Sequence, residues 1–171
     1  APTFDISTLS LQRKSLRTEL IGELRQALSD VKNQMELVPN WVGENDAKAM
    51  ASASDTLLFV PEGGTGANQV ALLRYCGVKT IPAKRVLELA ARADISEETC
   101  ARVVANVLRD PLQSAQPREI VDSPIWHTTG GQYALSKLPE GACLSPKFGE
   151  ALKADGVGSQ ELRRLFYAAD V

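Results

Sequence analysis

The sequence predicts an α/β fold, a small, mostly parallel sheet flanked by helices in three layers, followed by a C-terminal hairpin-plus-helices segment. Three observations predict it. Thr56-Leu57-Leu58-Phe59-Val60 is a continuous apolar run stopped by Pro61, the pattern of a strand buried on both faces and central in its sheet. From Ala67 to Cys76 the apolar residues Val70, Leu73 and Cys76, with Ala71 beside them, repeat at helical spacing, and Gly77 follows where a helix C-terminal glycine belongs. Val78-Lys79-Thr80-Ile81 reads as a second strand, and Pro82 as the first position of a helix from Ala83 to Ala93. Strand, helix, strand, helix in so short a span implies a parallel pair joined by a right-handed crossover.

The other elements follow in chain order. Leu9, Leu16, Leu20, Leu24, Ala27, Leu28, Val31 and Met35 fall mostly at three- and four-residue steps, one long amphipathic helix capped by Ser7 or Thr8. Met35 to Val38, before Pro39-Asn40, is a candidate short strand, and the small residues of Asp46 to Ser54 are a candidate helical turn. Ser96 caps a helix that runs to about Leu108, with Glu97 and Glu98 in the first turn, where the helix dipole favours them. Asp110 to Pro124 carries three prolines and reads as an extended connector. Ile125 to Thr128 and Gln132 to Leu135 flank Thr129-Gly130-Gly131 as a hairpin, and short helices follow at Pro146 to Ala154 and Gln160 to Ala169. The expected organisation is an α/β domain over 1–109, a connector over 110–124 and a hairpin with short helices over 125–171.

With 171 residues, 44% hydrophobic and 23% charged, the chain is long enough to bury one core. Lys and Arg total 19 against 21 Asp and Glu, dispersed along the chain, so no polybasic footprint for nucleic acid or membrane stands out. Cys76, Cys100 and Cys143 form no C-x-x-C pair and are odd in number, the usage of a reducing compartment, with buried small hydrophobes as the default role. The first residues, APTFDIST, have neither a basic n-region nor an apolar h-region, and no stretch approaches the roughly 18 apolar residues of a membrane span. A cytoplasmic location, or a virion interior for a viral protein, is expected.

Candidate chemistry is sparse. Gly63-Gly64-Thr65-Gly66 lies between a strand and a helix, where free N–H groups can hold an anion, and Gly64, Thr65, Gly66 and Asn68 are the candidate contacts. The corner lacks the third glycine of a dinucleotide fingerprint and the Gly-Lys-Ser/Thr of a P-loop, so a structural turn is the expected role. His127 is the only histidine, and any histidine-centred acid–base mechanism must use it. Asp122 and Glu119 are near it in sequence, but no nucleophile is, so packing is its expected role. One histidine and three scattered cysteines give no metal-ligand spacing. No catalytic residue, metal or cofactor is expected.

The stretch 90-AARADISEETCARVV-104 has the rhythm of a helix-turn-helix through Ala91, Ala93, Ile95, Ser96, Thr99, Val103 and Val104. Its second helix starts with Glu97-Glu98, which would oppose phosphates, so two packed helices are expected over a DNA reader.

Thr56 to Val60, the glycine turn, the helix carrying Ala71, Gly77-Val78 and the following Ile81-Pro82-x-x-x-Val86-Leu87 together resemble the second half of a BRCT-type domain, over residues 55–90. The resemblance implies a small parallel sheet flanked by helices that mediates protein–protein contacts and, in some members, DNA-end or phosphopeptide contacts. The sequence departs from the family where Val86 replaces the bulky aromatic of the last helix. It departs again where Gln69 stands in place of the phosphate-binding lysine. Phe59-Val60-Pro61 after Thr56-Leu57, Gly77-Val78 and 144-LSPKFGEALKADGV-157 also resemble segments of the minor assembly and packaging proteins of cystoviruses, the double-stranded RNA bacteriophages. That second resemblance implies a non-enzymatic inner-capsid protein that helps shell assembly and RNA packaging with the shell protein and the polymerase.

The expected function is therefore a protein–protein interaction or assembly factor without catalysis. Leu16, Leu20 and Leu24 on the long helix, and Leu162, Leu165, Phe166 and Tyr167 near the C-terminus, are the candidate interaction surface, for a partner or for a second copy in a homodimer. The alternatives are a nucleotide- or phosphate-binding protein using the glycine corner, and a DNA binder through residues 90–108.

Overall fold

The computed structural model describes residues 14–27, 35–61 and 66–171, which divide into two units. One unit takes its described residues from the chain up to Pro39 and from Ala47–Ile81; the other comprises Asn40–Asp46 and Pro82–Val171. The expected boundaries at 109 and 124 both fall inside the second unit.

In the first unit, helix α1 covers Lys14–Ala27; its expected cap at Ser7 or Thr8 lies outside the described residues. Met35, expected on that helix, is instead buried just ahead of strand β1, Glu36–Leu37. Helix α2, Glu44–Ala53, is three turns where a single turn was expected, and its first residues belong to the second unit. Strand β2 is Leu57–Leu58, helix α3 is Gly66–Tyr75 and strand β3 is Lys79–Thr80. The sheet is fully parallel, in the order β2-β1-β3. The apolar run at Thr56–Val60 thus contributes an edge strand of two residues, Leu57–Leu58, and β1, equally short, is central. The ladder shows why: β1 is hydrogen-bonded on both sides, with Val38 N donating to Leu58 O at 3.0 Å and Ile81 N donating to Leu37 O at 3.0 Å. The expected burial on both faces is also not met: of the run only Leu57 is buried, Leu58, Phe59 and Val60 are half-buried and Thr56 is exposed, as an edge position allows.

Helix α3 packs on this sheet. Leu72, Leu73 and Cys76 join Met35, Leu37 and Val78 in one buried cluster, with Leu58, Val60 and Val70 at its margin. Gly77 ends the helix as expected, at φ 96°, with Val78 N donating to Leu73 O and Gly77 N to Arg74 O. This pair of hydrogen bonds across a left-handed glycine satisfies carbonyls of the last helical turn and aims the chain into β3.

The second unit is mainly helical. Helix α4 is Ala83–Ala90, preceded by Pro82 as its N-cap, and is shorter than the expected run to Ala93. Helix α5, Glu97–Arg109, is its centre: seven of its residues, from Thr99 to Val107, are buried, and it packs against α4 and against α7, Pro146–Ala154. The expected extended connector contains a helix, α6, Pro117–Asp122. Pro117 occupies the first turn, where its missing N–H costs nothing, and the Glu119 carboxylate accepts from Gln116 N at 2.7 Å. Strands β4, Trp126–Thr128, and β5, Gly131–Tyr133, form the expected antiparallel hairpin. A 3-10 turn at Leu135–Lys137 follows, and α8, Ser159–Ala168, packs against α6.

Trp126 and Phe148 are fully buried and meet edge to face, their ring centroids 5.9 Å apart. The indole N–H donates to Ile120 O at 3.0 Å, so the one polar atom of this aromatic centre is satisfied. With its small parallel sheet and many helices, the chain is of the α/β class, and no helix among the described residues is long and apolar enough to cross a membrane.

Candidate functional site

The only histidine is where the second unit concentrates its buried polar side chains. His127 sits on β4, and its imidazole packs on Phe148, the ring centroids 5.6 Å apart. The residues that meet it are not Asp122 and Glu119. Asp122 pairs with Arg118 one turn away, and Glu119 is taken by Lys84 and Gln116 N. Glu97, from the first turn of α5, brings its Oε1 to 3.9 Å from His127 Nδ1. Its Oε2 accepts from Ser145 Oγ at 2.7 Å.

Ser145 reaches this position through backbone pairing. Ser145 N donates to His127 O at 2.9 Å, Thr129 N donates to Cys143 O at 3.1 Å, and Leu144 bridges Thr128, so the segment 143–145 runs along β4. Ser145 is also the N-cap of α7, its hydroxyl accepting from Phe148 N at 3.3 Å. The cap, the carboxylate and the imidazole are thereby fixed by three elements far apart in sequence.

A serine, a carboxylate and a histidine together invite comparison with a nucleophilic triad, and the order of contacts decides the matter. In a triad the histidine stands between serine and acid, taking the serine proton. Here the carboxylate stands between serine and histidine. The buried Ser145 hydroxyl gives its proton to Glu97 and its lone pair to a helix N–H. His127 Nε2 is buried and has no hydrogen-bond partner among the described residues. The arrangement joins α5, β4 and α7, and it presents no activated nucleophile.

The neighbouring Glu98 pairs with Lys147 at 2.9 Å. The hydrogen bond from Lys147 holds the Glu98 carboxyl below its usual range, and the same contact raises the Lys147 ammonium. Ser96 donates from both N and Oγ to the Asp46 carboxylate, and its Oγ accepts from Thr99 N at 3.3 Å. Gly43 N donates to Thr99 Oγ1 at 3.2 Å. The start of α5 is thus occupied by Asp46, Ser145 and Lys147, and most of the helix behind it is core. That placement disfavours a recognition role for α5 in the helix-turn-helix of residues 90–108. Asp46 is the residue that sequence reasoning missed; an acid in a small-residue stretch gives no sign of a serine fifty positions onward.

Of the glycine corner, Gly63, Gly64 and Thr65 lie outside the described residues. Gly66 opens α3, and a Cβ there would collide with the Pro61 carbonyl oxygen, so this glycine is required for the chain to turn from strand to helix. Asn68 is exposed on the first turn.

Among the interaction candidates, Leu20 is half-buried, and the side chains of Leu16 and Leu24 lie outside the described residues. Leu165 is not a surface residue: at 4% exposure it belongs to the core, because α8 turns this side inward. Leu162 and Phe166 are half-buried, Phe166 lying 6.3 Å from the Trp126 ring. Tyr167 is 89% exposed.

Among the cysteines, Cys76 and Cys100 are buried as expected and Cys143 is exposed; all three are free. Burial pushes the Cys100 thiol up to about 12 and also raises that of Cys76. No group of His, Cys, Asp and Glu among the described residues could hold a metal ion.

No family model matches this chain, and neither a curated protein nor a solved structure does.

Proposed function

We propose that this protein is a protein–protein interaction and assembly factor that carries out no catalysis of its own. The observation that carries the reading is Tyr167. It stands 89% exposed on a helix whose Leu165 is core and whose Phe166 lies against Trp126. An aromatic held in water on a rigid, well-anchored helix is the kind of side chain that contributes most when a partner covers it. Val171 is exposed as well. The saturated contacts of Ser145 and Glu97 support the non-catalytic side of the proposal, since both groups are committed to holding elements together.

The small parallel sheet with α3 packed on it supports a BRCT-like interaction module. The finer proposal rests on the cystovirus resemblance: an inner-capsid cofactor of shell assembly and RNA packaging, acting with the shell protein and the polymerase, alone or as a homodimer. Sedimentation of the purified chain, by itself and mixed with a cystoviral shell protein, tests this. The expected outcome is concentration-dependent association or co-sedimentation that Tyr167→Ser weakens about tenfold, the loss of one interface anchor. A strict monomer at all concentrations that leaves the shell protein unbound would overturn the proposal.

A further inference from the structure

Away from the His127 cluster, the second unit contains a cleft of about 580 Å³ formed by the end of α5, the loop that follows it, α6, the turn after α7, and α8. Its volume lies in the range of small-molecule sites, roughly 300–1,000 Å³. Its walls are mixed: Ala115, Ile120, Val157 and Leu165 are buried apolar residues, while Gln113, Gln116 and Glu161 are polar. Two arginines, Arg109 and Arg164, also line it.

The arginines distinguish this cleft from an ordinary packing gap. Both are exposed, and neither guanidinium has a hydrogen bond or close ion pair among the described residues. Arg164 does lie near enough to the Glu161 carboxylate to help the backbone hydrogen bonds there hold it below its usual range. The one carboxylate on the lining, Glu161, accepts at its Oε2 from Gly158 N at 2.9 Å, which caps α8. Arg109 is placed by the backbone. Gly156, at φ 82°, ends α7 with Val157 N donating to Leu152 O, and a Cβ at Gly156 would stand 3.3 Å from Arg109 Nη2. The absent side chain lets the guanidinium lie over the turn at the cleft wall. The loop after α5 is fixed by Asp110, which accepts from Leu112 N and from the Ser114 hydroxyl and N–H. That loop holds Gln113 at φ 45° on the lining, a left-handed conformation uncommon for a residue with a side chain.

We infer that this cleft binds a small amphipathic organic anion, with its apolar body against Ile120, Val157 and Leu165 and its carboxylate or phosphate on Arg109 and Arg164. Guanidinium is the side chain best matched to either head group, because its planar fork donates two parallel hydrogen bonds. The apolar part of the walls gives such a ligand an affinity that the bare anion lacks. This site is independent of the assembly role proposed above.

Isothermal titration calorimetry on the full chain tests it, using decanoate and decyl phosphate below their micellar concentrations, with decanol and inorganic phosphate as the two halves of the ligand taken separately. Decanoate or decyl phosphate is expected to bind saturably, one per chain, at least about tenfold more tightly than decanol or inorganic phosphate. Arg109→Gln and Arg164→Gln are each expected to weaken the favoured probe about tenfold, the loss of one charge-assisted contact. Arg85→Gln, which removes a charge paired with Glu88 on α4, is expected to leave binding unchanged. Absence of saturable binding by both amphiphiles would overturn the inference. So would decanol or inorganic phosphate binding as tightly as they do, wild-type affinity in both cleft variants, or an equal loss in Arg85→Gln.

Discussion

The two units bury their cores by different means. The first covers a sheet of two-residue strands with non-aromatic apolar side chains, Met35, Leu72, Leu73 and Cys76 among them. The second closes on a rigid aromatic pair, Trp126 and Phe148, and threads hydrogen-bonded side chains through its helices: Asp46 to Ser96, Thr99 to Gly43, Ser145 to Glu97. Adaptable aliphatic packing tolerates changes of shape, whereas a buried polar network demands one geometry. The comparison therefore assigns tolerance to the first unit and specification to the second.

Cutting the centre of each unit should break the comparison if it is wrong. Trp126→Ala is expected to cost about 3–5 kcal/mol, and Leu73→Ala about 2–4 kcal/mol, by urea denaturation followed by circular dichroism. Leu73→Met, a change of shape at nearly constant volume, should cost less than about 1.5 kcal/mol. A larger loss there would mean that the first unit is as exacting as the second.

The polar ties come next. Asp46→Ala leaves the Ser96 N–H and hydroxyl without their acceptor and is expected to cost about 1–3 kcal/mol. Recovery of more than half of that loss in Asp46→Asn would show that the hydrogen bonds, rather than the charge, carry the effect. Ser145→Ala removes a helix cap and the donor to Glu97 together, for about 1–2 kcal/mol. A neutral result would remove Ser145 from the set of specifying residues.

The smallest effect belongs to the exposed pair of Glu98 and Lys147. The folded-state pKa of Glu98 is depressed, so its contribution is present above the ordinary carboxylate value of about 4.3 and is lost as pH falls below it. Because the pair is solvated, the loss should be the smallest of these effects. Lys147→Met should abolish that part of the acid limb of a stability–pH curve; an unchanged limb would show that the pair contributes nothing.

Local signals were legible and pairings were not. Gly77 as a helix stop, Ser96 as a cap, the hairpin around Gly130 and the helix at Pro146 each depend on a few adjacent residues, and each stands where the sequence places it. The three prolines between Asp110 and Pro124 hid α6, because Gln116-Pro117-Arg118-Glu119 is as good a helix start as it is a turn. The centrality of β1 was hidden for another reason: two residues carry no periodicity, and strand order is set by which chains meet. The same holds for the site. His127 could be singled out as the only histidine, but its partners Glu97 and Ser145 come from thirty positions before it and eighteen after it. The exposure of Tyr167 against the burial of Leu165 is a matter of two residues along one helix, which the apolar run from Leu165 to Ala169 conceals.

The brevity of the sheet has a consequence for how this protein meets others. Its two outer strands, β2 and β3, are each two residues long, with Pro61 shortly after one and Pro82 shortly after the other. A chain that adds itself to a sheet needs a row of free N–H and C=O groups, and a proline interrupts that row by having no N–H. Strand addition, the common route to both backbone-mediated recognition and amyloid-like stacking, finds almost no template here. Any contact made at this sheet would fall to side chains.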